Sequence, residues 1–443
     1  MINLFEYYSQ ETKDLHDSLQ RSGYDNKTVV INYDGFAPEN VSSPYEYFMY
    51  GNKEIPENPR YFNQIEVPLF WEIRGNNSYG EIYNFDNKKA NIYYTTPTHK
   101  RIVSEVEWLD NNNIVRSKDY YNKYGYRYAN SIYSKDGELI TTSYYKEDGK
   151  EVIVENHITN DIILNEDQGK IKIFKSKLEL LDYYIYMEKL TTDKIIYNNL
   201  SLPFLYSFNN ADKSGNDTLV WQEPIHGELP GNMQLILNST ETRTKNILIS
   251  DKQVYEKIMQ LANEDAKEKI QYLGYVYNFV RENNNNPKIL ILTNSDQIEK
   301  IEDLLSELPD FHFYVAAITE MSPKLLSLVK YPNITLFQNV EQPIVKKLFA
   351  NCDYYLDINY SNEILNAIRT AFENNMIIYG FNNTIHNNKY IAENNIYSPD
   401  NFINMVESIK KAKVYDSYRM QLLESQRLQA SSVNPEHYKK VLK

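Results

Sequence analysis

The spacing of apolar residues along the 443-residue chain predicts first a helix and a strand, then a long β region, then helices and strands in alternation. Near the N-terminus, Leu15 and Leu19 lie four residues apart, as on one face of a helix, and residues 28–33 predict a buried strand. From residue 61 to about 173 the helical period is absent, and aromatic or β-branched residues alternate with polar ones. This stretch predicts an antiparallel β-meander.

Beyond the meander, a helical period returns at residues 177–190 and shorter apolar runs follow. We interpret the runs at 204–206 and 233–237 as strands and residues 264–281 as a long helix. These elements predict a second α/β region that continues the one begun at the N-terminus.

The pattern is clearest after residue 287, where apolar runs alternate strictly with segments of helical spacing. Alternation of this kind is typical of a doubly wound parallel sheet. The five predicted strands are residues 288–293, 311–316, 333–337, 353–358 and 376–381.

The chain is long enough for two or three domains. We predict that residues 1–58 and 174–264 form one Rossmann-like domain, into which a tyrosine-rich β-meander of residues 59–173 is inserted. Residues 265–414 predict a second Rossmann-like domain, and residues 415–443 a C-terminal helix that packs back on the first. The predicted fold class is α/β. Because the meander begins and ends in the same domain, its excision should leave both α/β domains folded.

Composition excludes several classes of function. A formal net charge of −13 argues against a nucleic-acid surface or a polybasic membrane patch. Cys352 is the only cysteine, and the histidines are scattered singly, so neither a disulfide framework nor a metal site is predicted, and no cofactor is expected. Residues 1–8 lack a basic start followed by an apolar core, so we expect no signal peptide, and no apolar run is long enough for a transmembrane segment. We therefore expect a cytoplasmic protein.

Residues 361–391, SNEILNAIRTAFENNMIIYGFNNTIHNNKYI, resemble the donor-site segment of retaining GT-B glycosyltransferases. In that family two glutamates, separated by seven residues, precede a strand ending in Gly-Phe, and they orient the sugar diphosphate and its ribose. Aligning Gly380 and Phe381 with this pattern puts Asn362 and Thr370 in the places of the glutamates. The resemblance therefore implies a GT-B fold with a degenerate donor site.

A second part of the family's donor site also differs. Active members carry an arginine and a lysine just past the first strand of the second domain, where they clamp the diphosphate. Here that stretch begins with Asn294 and Asp296, and Lys300 is its cation. Asp296 would repel a diphosphate at short range. Glu363 and Glu373 lie near the family positions but out of register, so an active enzyme that uses them in shifted roles remains an alternative.

The loop at residues 221–232, WQEPIHGELPGN, follows a predicted strand. In GT-B proteins a loop at this place faces the cleft between the domains, often toward the acceptor. A general-base role for His226 would need a carboxylate and a donor sugar nearby. The candidate acceptor-cleft residues are Trp221, Gln222, Glu223, His226 and Glu363.

The meander contains more tyrosines than one buried sheet face can hold, because only every second residue of a strand faces one side. We expect part of this tyrosine surface to be exposed and to bind a protein partner. The alternative is a tyrosine-rich sheet without a partner. The candidate interface residues are Tyr120, Tyr121, Tyr126, Tyr128, Tyr133, Tyr144 and Tyr145.

Nearly the whole chain resembles the non-catalytic stabilising subunits of the two-subunit O-GlcNAc transferases that modify serine-rich repeat adhesins in Gram-positive accessory secretion systems. The features that carry the resemblance are the split first domain, the inserted meander, the eroded donor site and the segment WQEPIHGELPGNMQLIL. It implies a catalytic sister subunit that alone binds UDP-GlcNAc, and a serine-rich repeat protein as acceptor. Peripheral membrane association through the complex is left open. The alternatives are an active retaining glycosyltransferase that uses a UDP-sugar and a dimerisation scaffold without acceptor contact.

Overall fold

The computed structural model describes residues 1–51, 53, 55–166, 169–210, 214–239 and 241–442. The chain folds into two compact units. The first unit comprises Met1–His16, Gly23–Ile249 and Val254–Gln271, and the second comprises Asp17–Ser22, Ser250–Gln253 and Tyr272–Lys443. No helix in the described ranges is long and apolar enough to cross a membrane.

Strands and helices of residues 1–272 follow one another in a split α/β arrangement. The strands are β1 (Ile2–Phe5), β2 (Lys27–Val30), β3 (Val41–Ser42), β4 (Glu72–Gly75), β5 (Tyr79–Asn84), β6 (Asn87–Tyr94), β7 (Val103–Leu109), β8 (Val115–Tyr121), β9 (Arg127–Tyr133), β10 (Leu139–Tyr145), β11 (Glu151–Asn156), β12 (Ile162–Asn165), β13 (Ile171–Phe174), β14 (Ile195–Tyr197), β15 (Asp217–Trp221), β16 (Thr244–Ile249) and β17 (Ile270–Tyr272). The helices are α1 (Gln10–Arg21), α2 (Pro44–Tyr50), α3 (Lys177–Met187), α4 (Leu202–Asn209), α5 (Gly231–Asn238), α6 (Lys252–Leu261) and α7 (Glu264–Lys267).

The α/β part of the first unit is built on a sheet with the strand order β17-β16-β15-β14-β1-β2-β3. Neighbouring strands from β16 to β3 pair in parallel. The chain winds from β1 to β2 and β3 on one side and returns to β14 on the other side of β1. The direction of winding therefore reverses between β14 and β1, which is the topological switch point where open α/β sheets hold ligands.

Three predictions for this region are wrong. The apolar runs at 204–206 and 233–237 lie in helices α4 and α5 and not in strands. Residues 264–281 form only the short helix α7, followed by β17 and irregular backbone. A short apolar run has the same pattern in a buried helix and in a buried strand, so periodicity alone could not separate the two.

The predicted meander is present as one sheet in which, among the described residues, ten antiparallel strands follow in sequence order from β4 to β13. Its two halves bury opposite faces. In β5 to β8, Ile92 and Val106 are buried against a cluster that includes Trp71. In β9 to β13, the other face, with Ile153 and Leu164, packs against α2 and α3.

The strand register demonstrates this change of face. Directly paired residues point to the same side of a sheet. One such row runs through Ile92, Val106, Asp119, Asn130, Ser143 and Val154. The row begins at Ile92, which is fully buried, and ends at Val154, which is half-buried on the free side. Each half of the meander therefore leaves one face uncovered, and the two uncovered faces lie on opposite sides of the sheet.

The expected exposed tyrosine surface is wrong for part of the set. Tyr121 and Tyr128 are only 6% and 3% exposed, and each lies in a hydrophobic core. Tyr120, Tyr126 and Tyr144 are partly buried against the core that holds Tyr128. Because each half of the sheet buries a different face, both faces hold tyrosines.

The remaining two tyrosines lie half-buried beside cations. Tyr133 lies 6.0 Å from the Lys118 ammonium, and the Arg127 guanidinium lies 5.6 Å from the ring of Tyr145. Their role in an interface stays a prediction.

The packing argues against the expectation that the meander can be excised without harm. Tyr45 and Met49 of α2 and Leu180 of α3 are buried in the same cluster as β11 and β12. Tyr45 also donates a hydrogen bond to Glu155, which is buried in β11. Removal of the meander would expose these apolar side chains to water, so the α/β part depends on it.

The second unit carries the alternating elements predicted for residues 287–381. Its strands are β18 (Lys288–Thr293), β19 (His312–Ala317), β20 (Ile334–Phe337), β21 (Tyr354–Asp357), β22 (Ile377–Phe381) and β23 (Ile396–Tyr397). Its helices are α8 (Ile301–Glu307), α9 (Pro323–Leu326), α10 (Gln342–Asn351), α11 (Ala367–Glu373), α12 (Phe402–Val414), α13 (Asp416–Gln429) and α14 (Pro435–Val441).

These strands form a parallel sheet in the order β20-β19-β18-β21-β22-β23, which confirms the predicted doubly wound fold. Side chains of β18 alternate between two cores, with Ile289 and Ile291 on one face and Leu290 and Leu292 on the other. Helices α8 and α12 cover the first face, and α10 and α11 cover the second. The winding reverses between β18 and β21, which is the switch point of this sheet.

The C-terminal helix does not pack as predicted. Leu422 and Leu423 of α13 join the core of the second sheet. Gln426 accepts a hydrogen bond from the Ile378 amide at 2.7 Å and donates one to the Met376 carbonyl at 3.0 Å. Helix α13 therefore belongs to the second unit, because its apolar side and one buried amide side chain complete that unit's sheet.

Candidate functional site

The loops after β1, β14 and β15 surround a cavity of about 490 Å³ in the first unit. These strands are neighbours, so the cavity lies at the carboxyl edge of the sheet and at its switch point. Its lining residues are Glu6, Asn199, Leu200, Ser201, Trp221, Glu223, Pro224, Ile225, His226, Glu228 and Pro230.

Glu6 fixes one side of this cavity. It follows the last residue of β1, and its carboxylate accepts hydrogen bonds from the Asn199 amide at 2.8 Å and from the Ser201 hydroxyl. Asn199 and Ser201 follow β14, so Glu6 joins the two loops that flank the switch point. The pair of loops is held in place while the cavity beside them stays open.

The charge of the cavity is negative. Glu6, Glu223 and Glu228 line it, and no lysine or arginine does so in the part of the chain that the structure describes. A nucleoside diphosphate would be repelled by these carboxylates. Groups that donate hydrogen bonds, such as hydroxyls and peptide N–H groups, would be favoured instead.

Trp221 contributes an unsatisfied donor to the cavity wall. It ends β15, is 3% exposed, and its indole Nε1 has no hydrogen-bond partner within the described residues. A buried donor without an acceptor is costly. The indole N–H is covered by neighbouring atoms, so a ligand oxygen would bond to it only after a local shift of the wall.

The structure brings together most of the acceptor-cleft residues predicted from the loop. Trp221, Glu223 and His226 line the cavity, whereas Gln222 turns away to neighbouring loops. The Gln222 side chain donates to the Glu11 carbonyl at 2.8 Å and accepts from Asn198 at 3.0 Å. Gln222 therefore shapes the loop and does not line the cavity.

His226 is not arranged as a general base. Its ring is exposed, and no side-chain hydrogen bond of His226 or Glu223 occurs among residues the structure describes. A catalytic base is normally oriented by a second group. The predicted catalytic alternative for His226 thus lacks its orienting carboxylate, and the residue is a polar group at the mouth of the cavity.

The switch point of the second unit is built differently, because the loops after β18 and β21 pair with each other. Ile298 and Asn359 form an antiparallel bridge. The Glu299 amide donates to the Ile358 carbonyl at 2.8 Å, and the Tyr360 amide donates to the Gln297 carbonyl at 3.1 Å. These loops flank the crevice in which a nucleotide would lie in a doubly wound sheet, so their pairing closes it.

Side chains reinforce the closure. Tyr360 donates a hydrogen bond to the Glu299 carboxylate, and the Asn383 amide donates to the Tyr360 hydroxyl at 2.8 Å. Asn383 follows β22, so the loops that follow three neighbouring strands, β18, β21 and β22, are joined at this edge of the sheet.

The buried Asp357 carboxylate and the partly buried His386 ring form a hydrogen-bonded pair next to these loops. Asp357, at the end of β21, accepts hydrogen bonds from the His386 backbone amide at 2.8 Å and from its ring Nδ1 at 2.6 Å. The other ring nitrogen of His386 contacts the Ser361 carbonyl. The hydrogen bond with Asp357 raises the pKa of His386 above its ordinary value of 6.5. Asp357 and His386 therefore lock the 358–361 loop in place.

Glu363 occupies the N-terminal end of α11. Its carboxylate accepts a hydrogen bond from the Ile368 amide at 2.9 Å. Burial raises the pKa of Glu363. The chain thus supplies its own carboxylate to a helix amide of the kind that binds phosphate in nucleotide enzymes. Glu373, the other candidate carboxylate, pairs with Arg369 at 3.0 Å.

The degenerate donor-site residues carry no compensating group. Asn294 and Asn362 are exposed, and the Thr370 hydroxyl donates to the Asn366 carbonyl at the start of α11 at 2.9 Å. Lys300, the cation of the β18 loop, lies 3.6 Å from the Asp303 carboxylate. These residues are engaged with their own helices or with solvent.

Metal or thiol chemistry has no support in the described parts of the chain. No group of three or more His, Cys, Asp and Glu residues could hold a metal ion there. Cys352 is buried, and burial raises its pKa to about 12, so its thiol is unreactive at neutral pH.

Family comparisons cover most of the chain. Residues 2–48 match the GtfB N-terminal domain, 71–175 the GtfB middle domain, 177–261 the GtfB third domain, and 289–426 the GftB/GlyA-F C-terminal domain. The UDP-N-acetylglucosamine–peptide N-acetylglucosaminyltransferase stabilizing protein GtfB of Streptococcus gordonii is 42% identical over 442 residues, which are 100% of this chain and 98% of that protein. The chain belongs to the GtfB family.

Solved structures extend the likeness to the whole fold. One chain of a crystal structure of a GtfA/B complex bound to UDP and GlcNAc is 42% identical, with a TM-score of 0.94 and coverage of 100% of this chain and 99% of that chain. The pneumococcal O-GlcNAc transferase GtfA, in complex with UDP and GlcNAc, is 14% identical, with a TM-score of 0.50 and coverage of 99% and 97%. The second likeness shows a shared fold alone. This GtfB-family chain is therefore GT-B-like, as predicted.

Sequence reasoning missed Glu6 and Ser201. Ser201 comes soon after β14, whereas Glu6 directly follows β1, a strand that the sequence analysis did not predict. Polar residues at the carboxyl ends of parallel strands are natural candidates for a binding site. They were missed because the strand order, which makes β1 and β14 neighbours, cannot be read from the order of elements in the sequence.

Proposed function

We propose that this protein is the non-catalytic subunit of a two-subunit protein O-GlcNAc transferase. In this proposal it stabilises a catalytic sister subunit, which alone binds UDP-GlcNAc and transfers GlcNAc to Ser and Thr. It also holds the serine-rich repeat acceptor protein. A cytoplasmic location and peripheral association with the membrane through the complex stay predictions.

The observation that carries the proposal is the closed crevice of the second unit. In GT-B enzymes the nucleotide-sugar is held by the second domain, and in this chain the corresponding loops after β18 and β21 bond to each other. Ligand binding there would have to break the Ile298–Asn359 bridge. Displacement of Glu363 from the Ile368 amide would be needed as well. Both costs oppose donor binding.

The open cavity of the first unit supports an acceptor role. Its carboxylates, Glu6, Glu223 and Glu228, accept hydrogen bonds, and the Trp221 indole offers a donor with no partner among the described residues. A serine-rich polypeptide presents hydroxyl and N–H donors together with carbonyl acceptors, so it matches both kinds of group. An unfolded polypeptide is held weakly at each contact, because ordering it costs conformational entropy.

An active retaining glycosyltransferase is the main alternative. It would use Glu363 or Glu373 as a donor-site carboxylate. Glu363 bonds a helix amide, and Glu373 is paired with Arg369 at 3.0 Å. Neither carboxylate is free to orient a sugar diphosphate, which disfavours this alternative.

Calorimetric titration of the isolated chain with UDP and UDP-GlcNAc tests the non-catalytic part of the proposal. We expect no measurable heat with either nucleotide, and a stable complex when the chain is expressed together with the catalytic sister subunit. Micromolar binding of UDP to the isolated chain would contradict the proposal.

Acceptor binding is tested with a fluorescent serine-rich repeat polypeptide. Replacing Glu223 and Glu228 by glutamine should weaken its binding by about tenfold, because charge-assisted hydrogen bonds are lost. Glu256→Gln, at an exposed position of α6, is the matched control and should leave the affinity unchanged. Cross-linking of the acceptor only to the sister subunit would favour the dimerisation scaffold instead.

A further inference from the structure

Three large apolar side chains project into solvent at one end of the meander. Leu69 and Phe70 are each 81% exposed, and Phe85 is 78% exposed. We call Leu69, Phe70 and Phe85 the apolar tip. Single exposed apolar residues are ordinary on a protein surface, but a contiguous group marks an interaction site.

Strand register brings the tip together. In the antiparallel pair of β4 and β5, Glu72 faces Tyr83. Phe70 lies two residues before Glu72 and Phe85 lies two residues after Tyr83, so both phenylalanines are in turns at the same end of this strand pair. Trp71, between the tip and β4, packs on the buried core and anchors this end of the strand.

The backbone of the tip is unfavourable for the residues it carries. Phe70 has φ of +69° in a turn closed by the Trp71 amide and the Pro68 carbonyl at 3.1 Å. Phe85 has φ of +52° at the first position of the two-residue loop between β5 and β6. Both are turn positions where glycine or asparagine fits best. Bulky residues in the left-handed region are rare and cluster at functional sites.

Most charges near the tip are compensated within the chain, although Asp86, next to Phe85, is exposed and has no ion pair among the described residues. Arg74 lies 2.9 Å from Glu72 and also over the Tyr83 ring, and the Lys88 ammonium lies 2.5 Å from Glu81. The surroundings are therefore polar, with a small negative net charge. Together with a formal charge of −13 for the whole chain, this disfavours an anionic lipid surface. An apolar centre surrounded by a polar rim is instead the pattern of a protein interface.

We propose that the apolar tip docks into a concave apolar pocket of a protein partner. The inference rests on the proposed function, which supplies that partner as the catalytic sister subunit. It places the anchor of the meander at the protruding ends of β4 to β6 and not at the tyrosines of β8 to β10, several of which are buried.

The test replaces both phenylalanines by asparagine, giving F70N/F85N. Asparagine suits both left-handed positions, so the variant should unfold at the same temperature as the wild type or at a higher one. Its affinity for the sister subunit should nevertheless fall by tenfold or more, measured by biolayer interferometry with the purified partner. A loss of binding without a loss of stability cannot result from damage to the fold. Tyr186→Asn, which removes a tyrosine that is also largely exposed but lies on α3, is the matched control.

An unchanged affinity of F70N/F85N for the sister subunit would overturn the inference. If the wild type itself fails to bind the sister subunit, the proposed function fails instead. Sedimentation with vesicles of phosphatidylglycerol and phosphatidylcholine adds a second arm. Vesicle binding by the wild type that is lost in F70N/F85N would assign the tip to lipid and would also overturn the inference.

Discussion

The two parallel sheets of this protein have closely similar topology, but the loops at their switch points are arranged differently. In the first unit, the loops after β1 and β14 stand beside an open cavity lined by carboxylates. In the second unit, the loops after β18 and β21 form a bridge across the corresponding place. A doubly wound sheet creates a crevice by its winding alone, but the loops decide whether a ligand can enter it.

The polar groups at the two places differ in their partners. At the second switch point, Asp357 pairs with His386 and Glu363 bonds a helix amide. At the first, Glu223 and Glu228 line the cavity and the Trp221 indole has no acceptor in the described structure. Groups that satisfy one another stabilise the fold, whereas groups left open are available for binding. This contrast can be tested by substituting one carboxylate from each place.

The largest expected effect is on stability and comes from Asp357→Ala. The substitution leaves the partly buried His386 ring without its partner, which should lower the free energy of unfolding by about 3 kcal/mol. Trp71, Trp108 and Trp221 all lie in the first unit. Urea unfolding followed by far-UV circular dichroism should therefore show an early transition that tryptophan fluorescence does not. A single transition shifted equally for both signals would contradict independent roles for the two places.

Glu6→Gln should have the opposite outcome. Asn199 and Ser201 both bond to the same carboxylate oxygen of Glu6, so glutamine can keep these two bonds and replaces only the second oxygen. Stability should therefore change by less than about 1 kcal/mol. Affinity for a serine-rich repeat polypeptide should fall by about tenfold, because a charged acceptor becomes neutral. Fluorescence anisotropy with a labelled polypeptide measures this loss. Asp357→Asn, assayed at a temperature where it is folded, serves as the comparison and should bind normally.

The pH dependence of stability should identify the second switch point as a structural lock. Asp357 raises the pKa of His386, so the protonated ring is favoured in the folded state. The stability that this pair contributes is complete below the ordinary histidine pKa of 6.5 and is lost as the pH rises through the raised value. Melting curves of the wild type and His386→Gln, from about pH 6 to pH 9, should show a difference that shrinks with rising pH. A difference that grows toward alkaline pH would refute this assignment.

For the last variant we expect no effect on UDP binding. Restoring the two family glutamates in N362E/T370E should not produce UDP binding, because the loops after β18 and β21 still close the crevice. Calorimetric titration with UDP measures this, with thermal unfolding as the check that the variant is folded. If UDP binds N362E/T370E, the missing glutamates alone account for the lack of a donor site, and loop closure is not the cause.

The sequence by itself determined the elements whose pattern is repeated and local. The five strands of the second sheet alternate with helices, and the meander alternates apolar with polar residues, so both could be predicted from periodicity. The degenerate donor site was also visible, because Asn362 and Thr370 stand where the family pattern has glutamates. These features depend on residue type and spacing along the chain.

Only the tertiary structure decided which strand ends meet and which sheet faces are covered. Glu6 and Ser201 lie nearly 200 positions apart and come together because β1 and β14 are neighbours. Tyr121 and Tyr128 are buried because the meander changes its covered face halfway across. The closure of the second crevice likewise depends on a bridge between Ile298 and Asn359. Such contacts join residues distant in sequence, and a local pattern carries no information about which distant segment will pack against it.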